Sequence, residues 1–246
     1  MLTIRREQMA VFAKLAFTRF ERRMMDHVGR YFPRQCEFIG KQNVSHAVQF
    51  AIERAYSRGH DSSRGICLYL SLAFLLGSFF DEDPQYPWAA HTPADPGGAD
   101  PEAKIERVYD KAMAYFDAVH GESNEHLIRA LVRVRRAEPA ALPNFTAREP
   151  ETKVHDFLSE YFPLKASRQQ EAAGELLSHT ISAWERARLT EPPDAAILLL
   201  HGFLLGIGFD RDPQFPWITE ILAQPSSQRG ERLFRRSVEF LEAVLR

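Results

Sequence analysis

The sequence is poor in cysteine. Cys36 and Cys67 are the only two among 246 residues, and they stand far apart. No disulfide framework is implied, and reduced thiols are the expectation. Neither sign of charge dominates. Lys and Arg number 31 against 33 Asp and Glu, a net charge of −2, so the whole chain exerts no general attraction on nucleic acid or an anionic membrane. Apolar runs of membrane length are missing. "GICLYLSLAFLLGSFF" (65–80) and "AAILLLHGFLLGIGF" (195–209) fall short of the roughly 18–20 residues a bilayer demands, and both end in an Asp-rich turn. The opening "MLTIRREQMAVF" turns polar too soon for a signal region. The chain is therefore expected to be cytoplasmic, with no membrane and no nucleic-acid partner. Catalytic signatures are missing as well: there is no Gly-rich phosphate loop, no G-x-S-x-G and no H-E-x-x-H.

What is present is a repeat. "FLLGSFFDEDPQYPW" (74–88) has a near twin in "FLLGIGFDRDPQFPW" (203–217), with eleven of fifteen positions identical. The likeness extends further. "HVGRYFP" (27–33) pairs with "FLSEYFP" (157–163) at an offset of 130, and the Trp motifs pair at 129. Each half closes on an amphipathic helix, "IERVYDKAMAYFDAV" (105–119) and "GERLFRRSVEFLEAVL" (230–245). The chain thus reads as a first helical unit over 1–120, a bridging helix and Pro-rich linker over 121–149, and a second helical unit over 150–246. The fold class is all-α, with two related units packed as one compact body of approximate internal pseudo-symmetry. Each unit is small and owns a helix too apolar to expose.

The pattern is helical nearly throughout, and no strong alternating strand is found. Apolar groups recur at helical intervals over 4–32, and Val44, Val48, Ala51 and Ala55 share one face of a helix over 43–58. Asp61 is the expected N-cap of the next helix. Thr190 is expected to cap another, with Pro192 in its first turn, and Asp100 followed by Pro101 repeats that signal. The segments 66–80 and 195–209 are apolar on all sides, the mark of helices surrounded by others.

Gly77 and Gly206 lie inside those expected helices. There each lowers helix propensity by about 1 kcal/mol relative to Ala, which points to a close approach by another helix. Asp81 and Asp83 then end the run, and Asp210 and Asp212 do the same in the second copy. Pro84 and Pro213 favour a new turn that the preceding Asp can cap. Pro87 and Pro216 fix the backbone before Trp88 and Trp217, whose rings can lie back over the core. The rival reading takes the D-x-D pairs as ligands of a divalent cation or as an acid–base pair. It lacks a His or Glu at adjacent ligand spacing, and the middle residue changes from Glu82 to Arg211. Turn-and-cap chemistry is the favoured reading, with no catalytic residue, metal or cofactor expected.

"HGESNEH" (120–126) holds His120, Glu122, Glu125 and His126 without a recognised zinc spacing. It reads as a solvated loop entering a helix N-terminus. His201, inside an apolar run, reads as a hydrogen-bonded core histidine. The basic residues of the first thirty-three positions are interleaved with acids and read as a solvated helix face. Segments that differ between the two copies are the expected partner surface, because the shared positions are explained by folding. They are the loop 89–101 with Asp95 and Asp100, the linker helix about 123–137 with Arg129, Arg133 and Arg136, and the changed pair Glu82 and Arg211.

The opening, with Ile4, Arg5, Gln8, Met9, Phe20, Glu21, Arg23, Met24, Phe32 and Pro33, is followed by Leu76, Gly77, Phe80, Asp81, Asp83, Pro84, Pro87 and Trp88. This resembles a family of small helical bacterial proteins with the pattern I-R-x-x-Q-M, F-E-x-R-M, F-P and L-G-x-x-F-D-x-D-P-x-x-P-W. The second unit carries only the later half, so a tandem pair departs from that pattern. The resemblance implies a product of type VI secretion gene clusters with a non-enzymatic role. The leading expectation is an immunity protein that binds and neutralises a cognate secreted effector toxin, with a nuclease as the suggested kind. The alternatives are an accessory chaperone or adaptor for effector loading, and a metal-dependent enzyme using the D-x-D turns. Self-association into a homo-oligomer is left open.

Overall fold

The computed structural model describes residues 6–90, 100–191, 193–225 and 228–245, with side chains from Lys14 onward. Over these residues the chain is all-α: twelve α-helices and no strand. In the first half they are α1 (Arg6–Tyr31), α2 (Pro33–Ile39), α3 (Lys41–Ser57), α4 (Ser63–Leu76) and α5 (Pro101–His120). The bridge is α6 (Glu125–Arg136). The second half holds α7 (Glu151–Tyr161), α8 (Pro163–Ala166), α9 (Ala173–Ala187), α10 (Asp194–Leu205), α11 (Pro216–Leu222) and α12 (Arg229–Val244).

Apolar spacing sets the order of layers. Phe20, Met24 and Val28 form the buried stripe of α1, and Val44, Val48, Ala51 and Ala55 that of α3. The two all-apolar helices lie innermost. α4 packs between α3 and α5, and α10 between α9 and α12. Ile66, Leu70 and Leu72 are at most 1% exposed, as are Ile197, Leu198 and Leu199. Fully burying one such side chain stabilises by about 1.5–3 kcal/mol before chain entropy is counted. The halves also interlock at their edges: α2 of the first packs on α12 of the second, and α8 of the second packs on α5 of the first. Both short helices start at a proline, whose missing N–H costs nothing at a first turn.

The structure corrects several sequence expectations. α4 ends at Leu76 and α10 at Leu205, each four residues before positions 80 and 209. Gly77 (φ 96°, ψ 152°) and Gly206 (φ 88°, ψ 165°) are not interior helix residues. They are the stops, in backbone geometry open essentially to glycine alone. The N-cap of α4 is Ser62, whose hydroxyl accepts from Gly65 N at 2.9 Å, and not Asp61. Thr190 does not cap α10. That helix opens after Pro193, and the Asp194 carboxylate accepts from Glu191 N at 3.1 Å; Pro192 lies outside the described residues. The Asp100–Pro101 signal is met, with Asp100 Oδ1 accepting from Glu102 N at 3.2 Å. Among the described residues no helix is long and apolar enough to cross a membrane.

Candidate functional site

A helix end leaves N–H and C=O groups without partners, and burial makes those groups costly. α4 and α10 end side by side in the middle of the molecule. The two copies of the repeated motif satisfy each other there. Asp83 Oδ2 accepts from Ile207 N at 2.8 Å, and Asp212 Oδ2 accepts from Ser78 N at 2.8 Å. Ile207 and Ser78 are the residues immediately after the two glycine stops. Each carboxylate also takes the N–H two residues on in its own turn, Gln85 N and Gln214 N, both at 2.9 Å. The glutamines then reach back across the junction. Gln85 Nε2 donates to Gly202 O and Gln214 Nε2 to Ala73 O, each at 2.9 Å. Every one of these bonds recurs with both partners moved by 129 residues.

This exchange explains the glycines. A Cβ on Gly77 would collide with Leu205 O, and one on Gly206 would sit 2.6 Å from Leu76 O. The close approach expected from the sequence exists, but the neighbour is the other copy's terminal carbonyl and not a helix flank. Burial pushes the carboxyls of Asp83 and Asp212 above their ordinary value, and the N–H groups pointed at them pull the other way.

The outer aspartates are held by arginines. Asp81 lies between Arg54 and Arg58, at 2.5 Å from each, and Asp210 pairs with Arg186 at 2.8 Å. All four carboxylates of the D-x-D pairs are thus engaged by N–H groups of the protein. Among the described residues no group of three or more His, Cys, Asp or Glu stands where it could hold a metal ion. The prolines place the aromatics. Pro216 starts α11, and Trp217 is buried against Phe38, Phe215 and Phe240. Pro87 starts only a single 3₁₀ turn, and Trp88 is half-buried against Tyr86 and Tyr115. Pro84 and Pro213 connect each capping aspartate to its glutamine.

Beside this clasp opens a cleft of about 780 Å³. Its walls come from α2, α5, α6, α8 and α12 and from the ends of α1, α4 and α10. Most of the lining is aromatic or aliphatic, and Tyr31, Leu75 and Leu164 stand exposed at the mouth. The volume lies within the range of ligand and partner pockets.

Lys165 is set into the wall and almost wholly buried. Its Nζ donates to Phe203 O and, at 3.4 Å, to Tyr86 Oη. Burial lowers its pKa to about 8, against the pull of the Asp83 charge. His120, also in the lining, is lowered to about 4 by burial and by Lys165, which leaves the imidazole neutral at neutral pH. Burial raises the Tyr86 and Tyr115 phenols. Tyr115 Oη accepts from Gln169 Nε2 at 2.9 Å.

The residues singled out from the sequence are divided by the structure. Arg129 and Arg133 line the cleft from α6, whereas Arg136 projects into solvent at the end of that helix. Glu82 bonds Arg54 at 3.0 Å and also Arg58. Arg211 lies over the Phe79 ring at 4.6 Å. Asp100 caps α5, and Asp95 lies outside the described residues. His126 joins the lining, while Glu125 turns back to accept from Ser123 N at 3.0 Å. His201 is a core histidine bonded to Ile197 O and Ser237 Oγ at 2.6 and 2.7 Å.

The cleft itself and Lys165, Tyr86 and Tyr115 were not found by sequence reasoning. A signal was available in the repeat. Lys165 stands two residues after "YFP", where the first half has Gln35, and the first half has Tyr86 where the second has Phe215. Compared with protein-family models, with curated protein sequences and with solved structures, the chain matches none.

Proposed function

We propose that this protein is a stoichiometric binding protein that captures and neutralises a secreted effector of a type VI secretion cluster. The observation that carries the reading is the open apolar cleft, with exposed Tyr31, Leu75 and Leu164 at its mouth. An apolar opening of this kind is a place to seat a partner's side chains. The D-x-D carboxylates, the rival candidates for chemistry, are occupied inside the fold. The resemblance of the opening and of the first motif supplies the type VI context. The linker helix α6, which differs from anything in the repeat, brings exposed Arg129 and Arg133 to the cleft and serves as the main contact element.

The test is co-expression of the neighbouring effector gene with the wild-type chain and with a Leu75→Glu/Leu164→Glu variant whose helicity and melting are unchanged. Growth is expected with the wild type and killing with the variant. A stable one-to-one complex should form with the toxic domain of the effector. Binding confined to a non-toxic spike-facing region, with no rescue of growth, would replace this reading by that of a loading adaptor.

A further inference from the structure

The cleft has a charge pattern that its apolar character hides. The residues lining it include Arg129, Arg133 and Lys165, with His120 and His126, and not one Asp or Glu. Arg129 and Arg133 are four apart on α6 and so are neighbours along one edge of that helix. Among the described residues neither has a carboxylate within ion-pair distance. Arg133 reaches only the Tyr161 carbonyl, at 3.5 Å. Other arginines do find partners. Arg135, on the same helix, bonds Glu242 at 3.2 Å, and Arg54, Arg58, Arg64, Arg186, Arg235 and Arg236 all pair with acids. Arg129 and Arg133 instead line an apolar cleft that holds no acid to meet them. The apolar surface also continues past the mouth. Ile128 and Val132 are exposed on α6, beside a second, smaller groove against α12. A small ligand would be enclosed by the cleft and would leave these outer side chains in water; a polypeptide can cover both.

Resting on the proposed function, we infer that the occupant of the cleft is an acidic amphipathic segment of the protein partner. Its apolar face enters between α5, α6 and α12, and its carboxylates pair with Arg129 and Arg133. Charge at such a rim selects the partner and speeds encounter, while apolar anchors in the cleft hold it. The burial of Lys165 and its bonds to Phe203 O and Tyr86 Oη keep its charge inside the wall, where it favours an anionic neighbour without contacting it.

The test uses the full chain and two fluorescent amphipathic helical peptides. Both carry the same Leu and Phe face, and the polar face is Glu in one and Lys in the other. Anisotropy titration should show the Glu peptide binding at least about tenfold tighter than the Lys peptide, with the preference shrinking as salt rises. Arg129→Glu/Arg133→Glu, both exposed and therefore safe for folding, should reverse the preference. Leu75→Glu/Leu164→Glu should weaken both peptides. Equal binding of the two peptides, or an unchanged preference in the double arginine variant, overturns the inference. So does tight binding of dodecanoate with none of the Glu peptide, which would make the cleft a site for small amphiphiles. The same arginine variant in the co-expression assay separates the two readings. Charge-selective peptide binding without rescue by the wild type removes the effector and leaves the cleft chemistry standing. Rescue that survives Arg129→Glu/Arg133→Glu, with no peptide preference, removes the acidic segment and leaves the effector.

Discussion

The two copies of the clasp share a common set of hydrogen bonds and settle the buried charge differently. Around Asp212 the arrangement is compact. Ser78 donates its N–H and also its hydroxyl, the latter at 2.7 Å, and Gln214 Oε1 is taken by Gln35 Nε2 at 2.9 Å. Around Asp83 the position of Ser78 is held by Ile207, which offers no hydroxyl, and the position of Gln35 is held by Lys165. Gln85 Oε1 is left without a partner. One local donor has been exchanged for a cation whose charge reaches the carboxylate from beyond ion-pair distance. The aromatic shells follow. Phe215 and Phe240 stand 5.7 Å apart in one copy, and Tyr86 and Tyr115 stand 5.6 Å apart in the other, where the added hydroxyls serve Lys165 and Gln169. Duplicated segments can therefore keep the bonds that join them while the second layer drifts, provided that each loss of a donor is met by another group.

The strongest way to break this comparison is to remove what both copies share. Gly77→Ala and Gly206→Ala each place a methyl against the other copy's carbonyl, at a backbone geometry that alanine avoids. Conformational strain of about 1–3 kcal/mol and a forced displacement of about 1–3 kcal/mol give an expected loss of roughly 2–6 kcal/mol for either variant. Gly29→Ala is the control. It lies in α1 with nothing within 4 Å of the new methyl, so it should be neutral or stabilise by up to about 1 kcal/mol. Denaturant titration reads all three. A Gly77→Ala protein as stable as Gly29→Ala would mean that the two helix ends do not meet as described.

The difference between the copies is sharpened by converting one into the other. Lys165→Gln alone should cost about 2–4 kcal/mol, because Asp83 loses the cation whose charge reaches it in a dry site. Ile207→Ser supplies the missing hydroxyl, so the double variant should recover about 1–2 kcal/mol of that loss, a coupling ordinary for residues sharing one network. The wild type also carries a pH signature. Lys165 has a folded pKa of about 8 against an ordinary 10.5. Between these values the unfolded chain binds the extra proton, so stability rises with pH through that window and is insensitive to this lysine below it. The Lys165→Gln protein should lack that alkaline rise. Strict additivity of the two substitutions would show that Ile207 and Lys165 do not compensate one another.

Much of this architecture was legible in the sequence because its causes are local. The amphipathic stripes of α1 and α3, the Asp100–Pro101 start of α5 and the polar-sided α6 follow from spacing and caps that lie within a few residues. The repeat announced that residues 74–88 and 203–217 share a role, and the run of Asp, Pro and Trp announced a turn. What stayed hidden has causes far away in the chain. "LLGSFF" reads as continuing helix until Leu205 O is known to sit where the Gly77 side chain would be. Nothing near Asp83 says that its N–H donor is Ile207, and nothing near Ser62 forces it ahead of Asp61 as a cap. The cleft is the extreme case. Its walls are drawn from eight segments of both halves, each an ordinary amphipathic surface, and only the exchange of Gln35 for Lys165 and of Phe215 for Tyr86 marks it within the repeat.

The smallest effect expected concerns the outer aspartates. Asp81 has a side chain only 3% exposed and is gripped by two arginines that are themselves mostly covered. Arg54 also reaches the Tyr69 hydroxyl at 3.3 Å and lies over the Phe79 ring at 4.8 Å. The Asp210 carboxylate pairs with Arg186, which is 54% exposed. Water and salt screen that pair, so Arg186→Ala should cost only about 0.2–1 kcal/mol, and less still in high salt. Arg54→Ala should cost about 1.5–3 kcal/mol, as for a hydrogen bond to a buried charge, and should change little with salt. Paired melts of the two variants at low and high ionic strength decide it. If Arg186→Ala proved the costlier, Asp210 would have to be the better buried of the two carboxylates, and the asymmetry drawn here between the first and second copies would be inverted at its outer edge.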